Sequence, residues 1–233
     1  MRRCVGRGAA EVGWGGGWGV GGLCALPRLQ HTAFPPPTPP TPSPQTVIGF
    51  LKHYNLDAHF KVNIEPNHTT LAGHEYAHDL LVSSQYNMLG SIDANTGDEL
   101  LGWDTDQFPM DVKQCMQTML IVMEQGGLAP GGLNFDAKVR RESTDLEDMF
   151  IAHIGAMDCY ARGLKAAAAL KADGHYDAWR KARYASFDAG IGAKIEAGKT
   201  SFAELEAYTM ANGEPVAKSG QQEKYEQLIN SYV

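Results

Sequence analysis

An α/β fold with a parallel sheet, giving way after residue 144 to mostly helical structure, is what the sequence predicts. Three observations carry it. Short apolar runs alternate with segments of helical periodicity from Thr46 to Asp136. All three runs end in an acid. Beyond residue 144 apolar residues keep helical spacing, punctuated by glycines and short polar links.

In chain order, TVIGFLKHYNL from Thr46 reads as a short amphipathic helix and FKVNIE as a strand ending in Glu65. TLAGHEYAHDLLVSSQYNML has apolar residues at helical spacing, and GSID is a second strand-like run ending in Asp93. DVKQCMQTMLIVMEQ is a helix stopped by Gly126-Gly127, and GGLNFD is a third run ending in Asp136. DLEDMFIAHIGAMDCYARGLKAAAALKA, YDAWRKARYASF, FAELEAYTMA and QQEKYEQLINSY then follow as helices. This second half reads as a helical extension, an arm suited to packing on a partner subunit.

Ahead of these elements, residues 1–45 hold 8 of the 12 prolines, 9 of the 26 glycines and a single acid, Glu11. WGGGWGVGG and FPPPTPPTPSP cannot build a packed core, so a disordered leader is expected. Its basic start, MRRCVGR, is followed by no clean apolar region with a cleavage site, and serine is scarce, which weighs against secretory and organellar signals. The leader holds 4 of the 20 basic and 1 of the 27 acidic residues, so the remaining 188 carry 16 basic and 26 acidic side chains, a net of −10. That balance argues against a nucleic-acid surface and favours cation binding or plain solubility. No apolar run approaches the roughly 18 residues of a membrane span. Cys115 and Cys159 sit in helical patterns and no CxxC occurs. A disulfide framework or thiolate zinc site is therefore not expected, and a reducing, cytoplasmic compartment fits.

The acids at the strand ends point to chemistry. Residues at the carboxyl ends of parallel strands face the site in α/β sheets and barrels. One acid there is usually a helix cap. Three in succession, Glu65, Asp93 and Asp136, shift the balance toward a shared cation. His68 follows Glu65 by three residues, the di-iron carboxylate spacing on a helix, but Pro66 favours a strand-end loop, where His68 could equally be a hydrogen-bonder. In LGWDTDQFP, Asp104 and Asp106 face one way only if the segment is extended, as Gly102 and Pro109 suggest; a solvated turn is the alternative. Together the five carboxylates and one imidazole make a hard, oxygen-rich set suited to Mg²⁺, Mn²⁺ or Co²⁺. A competing signal is His74-Glu75-Tyr76-Ala77-His78, which matches H-E-x-x-H in a segment read as helical, with Glu99 a distant third ligand. On these residues a zinc metallohydrolase stays open.

NIEPNHTTLAGH, GSIDANTGD, GWDTDQFP, GGLNFDAKVRR and RYASFDAGIGAK together resemble xylose isomerase of the longer subclass, from about Thr46 to the C-terminus. The resemblance implies a TIM (β/α)8 barrel, of which this chain holds only the last three βα units, plus a helical C-terminal extension that embraces a neighbour in a homotetramer. The organisation it implies is the leader over 1–45, the C-terminal part of the barrel over 46–144, and the last barrel helix with the helical arm over 145–233. It implies isomerisation of D-xylose to D-xylulose, and of D-glucose to D-fructose, by a hydride shift with two divalent cations. Carried over by position, Glu65 matches the carboxylate that bridges both cations. Asp93 and Asp136 match ligands of the structural one, and His68, Asp104 and Asp106 match ligands of the one that polarises the sugar's C1–C2 oxygens.

The same resemblance makes HEYAH an accident, since both histidines recur in the family without ligating metal. Thr96 departs from the family's usual arginine. The family's ring-opening histidine with its aspartate, a catalytic lysine and a fourth glutamate ligand of the structural cation all precede the matched region. The leader supplies none of them, so no catalytic residue is identified in this chain. The expectation is a truncated isomerase of doubtful activity alone, the further alternative being a non-catalytic subunit that joins complete isomerase chains.

Overall fold

In the computed structural model the described residues are Arg28–Gln30, whose backbone alone is considered, 43–101 and 104–233. They fall into two compact units divided after Lys165. The first holds a parallel sheet with order β1-β2-β3-β4. Its elements are β1 (Arg28–Gln30), α1 (Pro44–His53), β2 (Lys61–Ile64), α2 (Pro66–Leu71), α3 (His78–Gln85), β3 (Leu89–Asp93), α4 (Val112–Glu124), β4 (Leu133–Asn134) and the first part of α5 (Leu146–Asp173).

The three expected strands are present; β2 and β4 are shorter than their apolar runs, and β3 begins one residue earlier, at Leu89. Two stretches of the expected leader depart from expectation: Arg28–Gln30 pairs in parallel with β2, and α1 begins at Pro44. The rest of that leader lies outside the described residues. Proline fits the first helical turn because it lacks the N–H that would go unpaired there.

Val62 and Ile64 on β2 and Ile92 on β3 are fully buried on one face of the sheet, while Asn63, Ser91 and Asp93 alternate onto the other. Ile48 and Leu51 of α1, Leu80 of α3, and Cys115 and Ile121 of α4 complete this core. The helices therefore cover the sheet by their apolar stripes, which is the arrangement the alternating pattern anticipated.

The segment read as one helix from Thr70 to Leu89 is two. Gly73 adopts φ +79°, a left-handed conformation that ends α2, and α3 starts only at His78. Asp111 caps α4, its carboxylate accepting from the backbone N–H groups of Lys113 (2.8 Å) and Gln114 (3.2 Å). Asp111→Ala is expected to cost about 1 kcal/mol, read as a lower urea midpoint with an unchanged slope.

In the second unit, α6 (His175–Tyr184), α7 (Gly190–Glu196), α8 (Phe202–Asn212) and α9 (Gln222–Asn230) follow the last turns of α5. Trp179 of α6 stacks on Tyr225 of α9 at 3.9 Å between ring centroids, and Lys194 pairs with Glu204 at 2.5 Å. α7 was not anticipated as a helix. Gly192 is its buried residue, and a Cβ there would strike the Ser186 carbonyl, so a glycine that reads as a helix breaker instead permits close packing. Among the described residues no helix is long and apolar enough to cross a membrane.

Candidate metal centre

The sheet delivers three acids to one edge. Glu65 follows β2 directly, Asp93 is the last residue of β3, and Asp136 lies two residues past β4. Glu65 is extended (φ −116°, ψ 106°), the conformation required of a residue before proline, and Pro66 then opens α2. His68 therefore stands on the first turn of a helix rather than in the loop expected from Pro66. The side chain of Glu65 does not cap that helix, which leaves its carboxylate to the site.

Asp104 and Asp106 lie in a segment without regular structure, which backbone pairing fixes on both sides. Thr96 and Gln107 exchange two N–H···O bonds of 2.8 Å, and Lys138 N–H donates to the Asp106 carbonyl at 2.8 Å. The loop after β3 is thereby tied to the chain leaving β4.

Two sets of side chains converge. One ligand atom each from Glu65, His68 and Asp104 lie within 4.8 Å of one another, and so do atoms of Glu65, Asp93 and Asp136. Glu65 belongs to both sets. His68 Nε2 stands 3.2 Å from Glu65 Oε2 and 2.7 Å from Asp104 Oδ2. Asp106 lies beside the first set without joining it: its Oδ2 accepts from Lys138 Nζ at 2.9 Å.

The charges within this cluster are strained against one another. Burial pushes the Glu65 carboxyl up to about 8, with Asp104 and Asp106 adding to the rise against the opposing pull of His68 and Asn95. Burial also raises Asp136, helped by Asp93, Asp106 and Asp104. Burial alone would raise Asp104 too, but its hydrogen bonds with His68 and Asp106 and the charges of His68 and Lys138 bring it down to about 2. Carboxylates crowded this way, with one imidazole and no thiolate, form a donor set for a hard divalent cation, whose charge would offset their repulsion.

Residues that sequence reasoning passed over hold the acids in place. Asn95 is fully buried; its Nδ2 donates to Glu65 Oε1 (2.6 Å) and to the Asp136 carbonyl (2.9 Å), and its Oδ1 accepts from Asn67 N–H (3.1 Å). Asn67 donates to Asp104, and Asn63 donates to Asp93 at 2.5 Å. The available signal was confined to Asn63, a polar residue inside the apolar run FKVNIE, since a buried amide must find partners. Asn95→Ala is expected to weaken cation binding 10–100-fold, on the order seen when ligand-orienting partners are lost, as read by calorimetric titration.

The raised Glu65 sets a pH dependence. Its folded value, about 8, exceeds the ordinary 4.5. Its contribution to stability in chelated protein is thus complete below pH 4.5 and is lost as pH rises through about 8. A cation must displace that proton, so Mn²⁺ affinity is expected to rise about tenfold per pH unit from 6 toward 8 and then flatten.

HEYAH does not form a zinc site. It lies across a turn, with only His78 on α3; the rings of His74 and His78 stack at 4.4 Å and 15°, and among the described residues neither histidine falls in a convergent three-ligand group. His78 Nδ1 sits 2.9 Å from Asp79 Oδ1, and Glu75 accepts from Ala77 N–H. The helical reading of this segment fails, and the metallohydrolase alternative fails with it.

Residues 180–233 match the family described as the XylA2 C-terminal domain. Over 188 residues the chain is 57% identical to xylose isomerase 2 of Xanthomonas campestris pv. campestris (strain 8004), to xylose isomerase 1 of Xanthomonas axonopodis pv. citri (strain 306) and to xylose isomerase of Xanthomonas oryzae pv. oryzae (strain MAFF 311018). Each match covers 81% of this chain and 42% of the relative, so the chain spans less than half the length of these proteins.

Proposed function

From a chain related to the xylose isomerases across most of its length, we propose that this protein carries the cation-binding half of an aldose–ketose isomerase acting on D-xylose and D-glucose. The observation that carries the reading is Glu65, one carboxylate shared by two three-ligand sets. Glu65 would bridge two divalent cations, Mg²⁺ or else Mn²⁺ or Co²⁺. Asp93 and Asp136 would complete one site with Glu65, and His68 and Asp104 the other, with Asp106 close enough to join once released from Lys138. Bound there, the cations would supply Lewis acidity to the oxygens of the sugar. The chain's own part is to hold five acids in one pocket: Asn95 orients Glu65, Asn63 orients Asp93, and Asn67 steadies Asp104.

Strands β2, β3 and β4 of the parallel sheet are a segment of the barrel in this reading, with the ligands at the strand ends where barrel sites are built. Assembly into a cytoplasmic homotetramer belongs to the same reading. Its support is the apolar residues that α5 leaves exposed, among them Phe150, Ile151, Ile154 and Met157.

The test compares xylose isomerisation, with added Mg²⁺ or Mn²⁺, by this chain and by a chain extended with the N-terminal portion of a Xanthomonas relative. Turnover by the extended chain, lost in Glu65→Ala, is the expected result. Turnover by the unextended chain would refute the division of labour, and an inactive extended chain that still binds two cations would refute the activity.

A further inference from the structure

Outside the acid cluster, α4 and α5 bring two thiols together. Cys115 and Cys159 are free, buried, and separated by 3.4 Å between sulfurs. Gly163, one turn beyond Cys159, lets the helices approach this closely, since a Cβ there would lie 2.6 Å from the backbone of Cys115 and Met116. Nothing in the proposed isomerase chemistry uses either thiol. We infer that Cys115 and Cys159 form an oxidisable dithiol, which hydrogen peroxide closes into a disulfide stapling α4 to α5.

The two sulfurs are not equivalent. Cys115 is wholly enclosed, whereas Cys159 keeps 5% of its surface exposed, so peroxide reaches Cys159 first. Burial raises the Cys159 thiol and Asp111 adds to the rise, while the S–H that Cys115 donates to the Cys159 sulfur and the charge of Arg162, on the same turn of α5, oppose it. The Cys159 sulfur attacks peroxide, the O–O bond breaks, water leaves, and a sulfenic acid remains. The Cys115 sulfur then attacks that sulfur; the S–S bond forms, the S–O bond breaks, and the hydroxyl departs as water with the Cys115 proton. Two thiols and one peroxide become one disulfide and two waters. The 3.4 Å separation leaves little movement before bonding distance, so the second step competes well against further oxidation of the sulfenic acid.

The bond would close the chain between residues 115 and 159, which includes Asp136 and Lys138. A loop of that length gives a cross-link enough leverage on the unfolded chain to raise Tm, by on the order of 5 °C.

The test treats the full chain with peroxide, blocks remaining thiols, digests with trypsin under non-reducing conditions and maps the peptides by mass. Cleavage after Lys113, Lys138, Arg141 and Arg162 places the two cysteines on separate peptides, Gln114–Lys138 and Glu142–Arg162, distinguishable from those of Cys4 and Cys24. The expected product is these two peptides joined, lighter by two hydrogens than their sum. In Cys115→Ser, a sulfenic acid trapped at Cys159 by dimedone is expected in place of the link. Both thiols still alkylatable, both driven to sulfonic acid unlinked, or bonds only to Cys4 or Cys24 would each overturn the inference. The map is made on the wild-type chain, so it stands even if the serine variant fails to fold.

Discussion

Glu65→Ala is expected to abolish binding of both divalent cations, where His68→Ala and Asp136→Ala each abolish one. The asymmetry follows from position: Glu65 alone belongs to both ligand sets, and the remaining ligands of the two sets stand on separate segments of the chain. Removing it leaves each cation two side chains from this chain's convergent sets. The loss in affinity is expected to exceed 100-fold at both sites, beyond what loss of a supporting residue costs. Calorimetric titration with Mn²⁺ reads it as a stoichiometry of two in the wild type, one in either peripheral variant and none in Glu65→Ala. Equal losses from all three substitutions would refute the shared-carboxylate geometry. Glu65→Ala is also expected to stabilise the metal-free protein at pH 8, because it removes a buried carboxyl that resists ionisation. A binding defect caused by unfolding would show the opposite.

The second large effect reverses what propensity teaches. Glycine inside a helix is about 1 kcal/mol worse than alanine, so Gly163→Ala in α5 ought to stabilise. Here the added methyl would enter the backbone of α4, 2.6 Å from Cys115 C and Met116 N, and neither atom can swing aside as a side-chain tip could. Overpacking of this kind typically costs about 1–3 kcal/mol, so a net loss is expected even after the propensity gain. A control isolates the propensity gain: Gly49→Ala, inside α1 with nothing within 4 Å of the added methyl, is expected to stabilise. Thermal unfolding of Gly163→Ala should show a lower Tm together with a wider sulfur separation, read as slower disulfide closure. A rise in Tm would refute the close helix contact.

The site was legible where chemistry and period coincide. An acid at each strand end is visible because an apolar run stops abruptly at a charge, and Glu65, Asp93 and Asp136 were found that way. Asp104 and Asp106 were found as a repulsive pair, but the ion pair of Asp106 with Lys138 was not readable, since it depends on a residue 32 positions later, nor was the left-handed backbone at Asp106 (φ 43°), which no glycine marks. Asn95 was passed over because amides carry no charge pattern; its importance comes from burial, which only the fold confers. HEYAH misled because its apolar neighbours keep helical spacing while Gly73 bends the backbone out of it. Arg28–Gln30 joins the sheet with three residues between proline-rich and glycine-rich stretches, too few to show a period.

The pairing of Gln107 with Thr96, and of the Asp106 carbonyl with Lys138, uses main-chain atoms only. The main-chain part of the shelf on which Asp104 and Asp106 stand does not depend on which side chain position 96 or 107 carries. Another side chain could replace that of Thr96 without disturbing that shelf, since its contribution is a peptide group. A change at position 96 or 107 would therefore leave the height and spacing of the two aspartates to the peptide groups beneath them, so the cleft they face is set by backbone rather than by the side chains at those two positions.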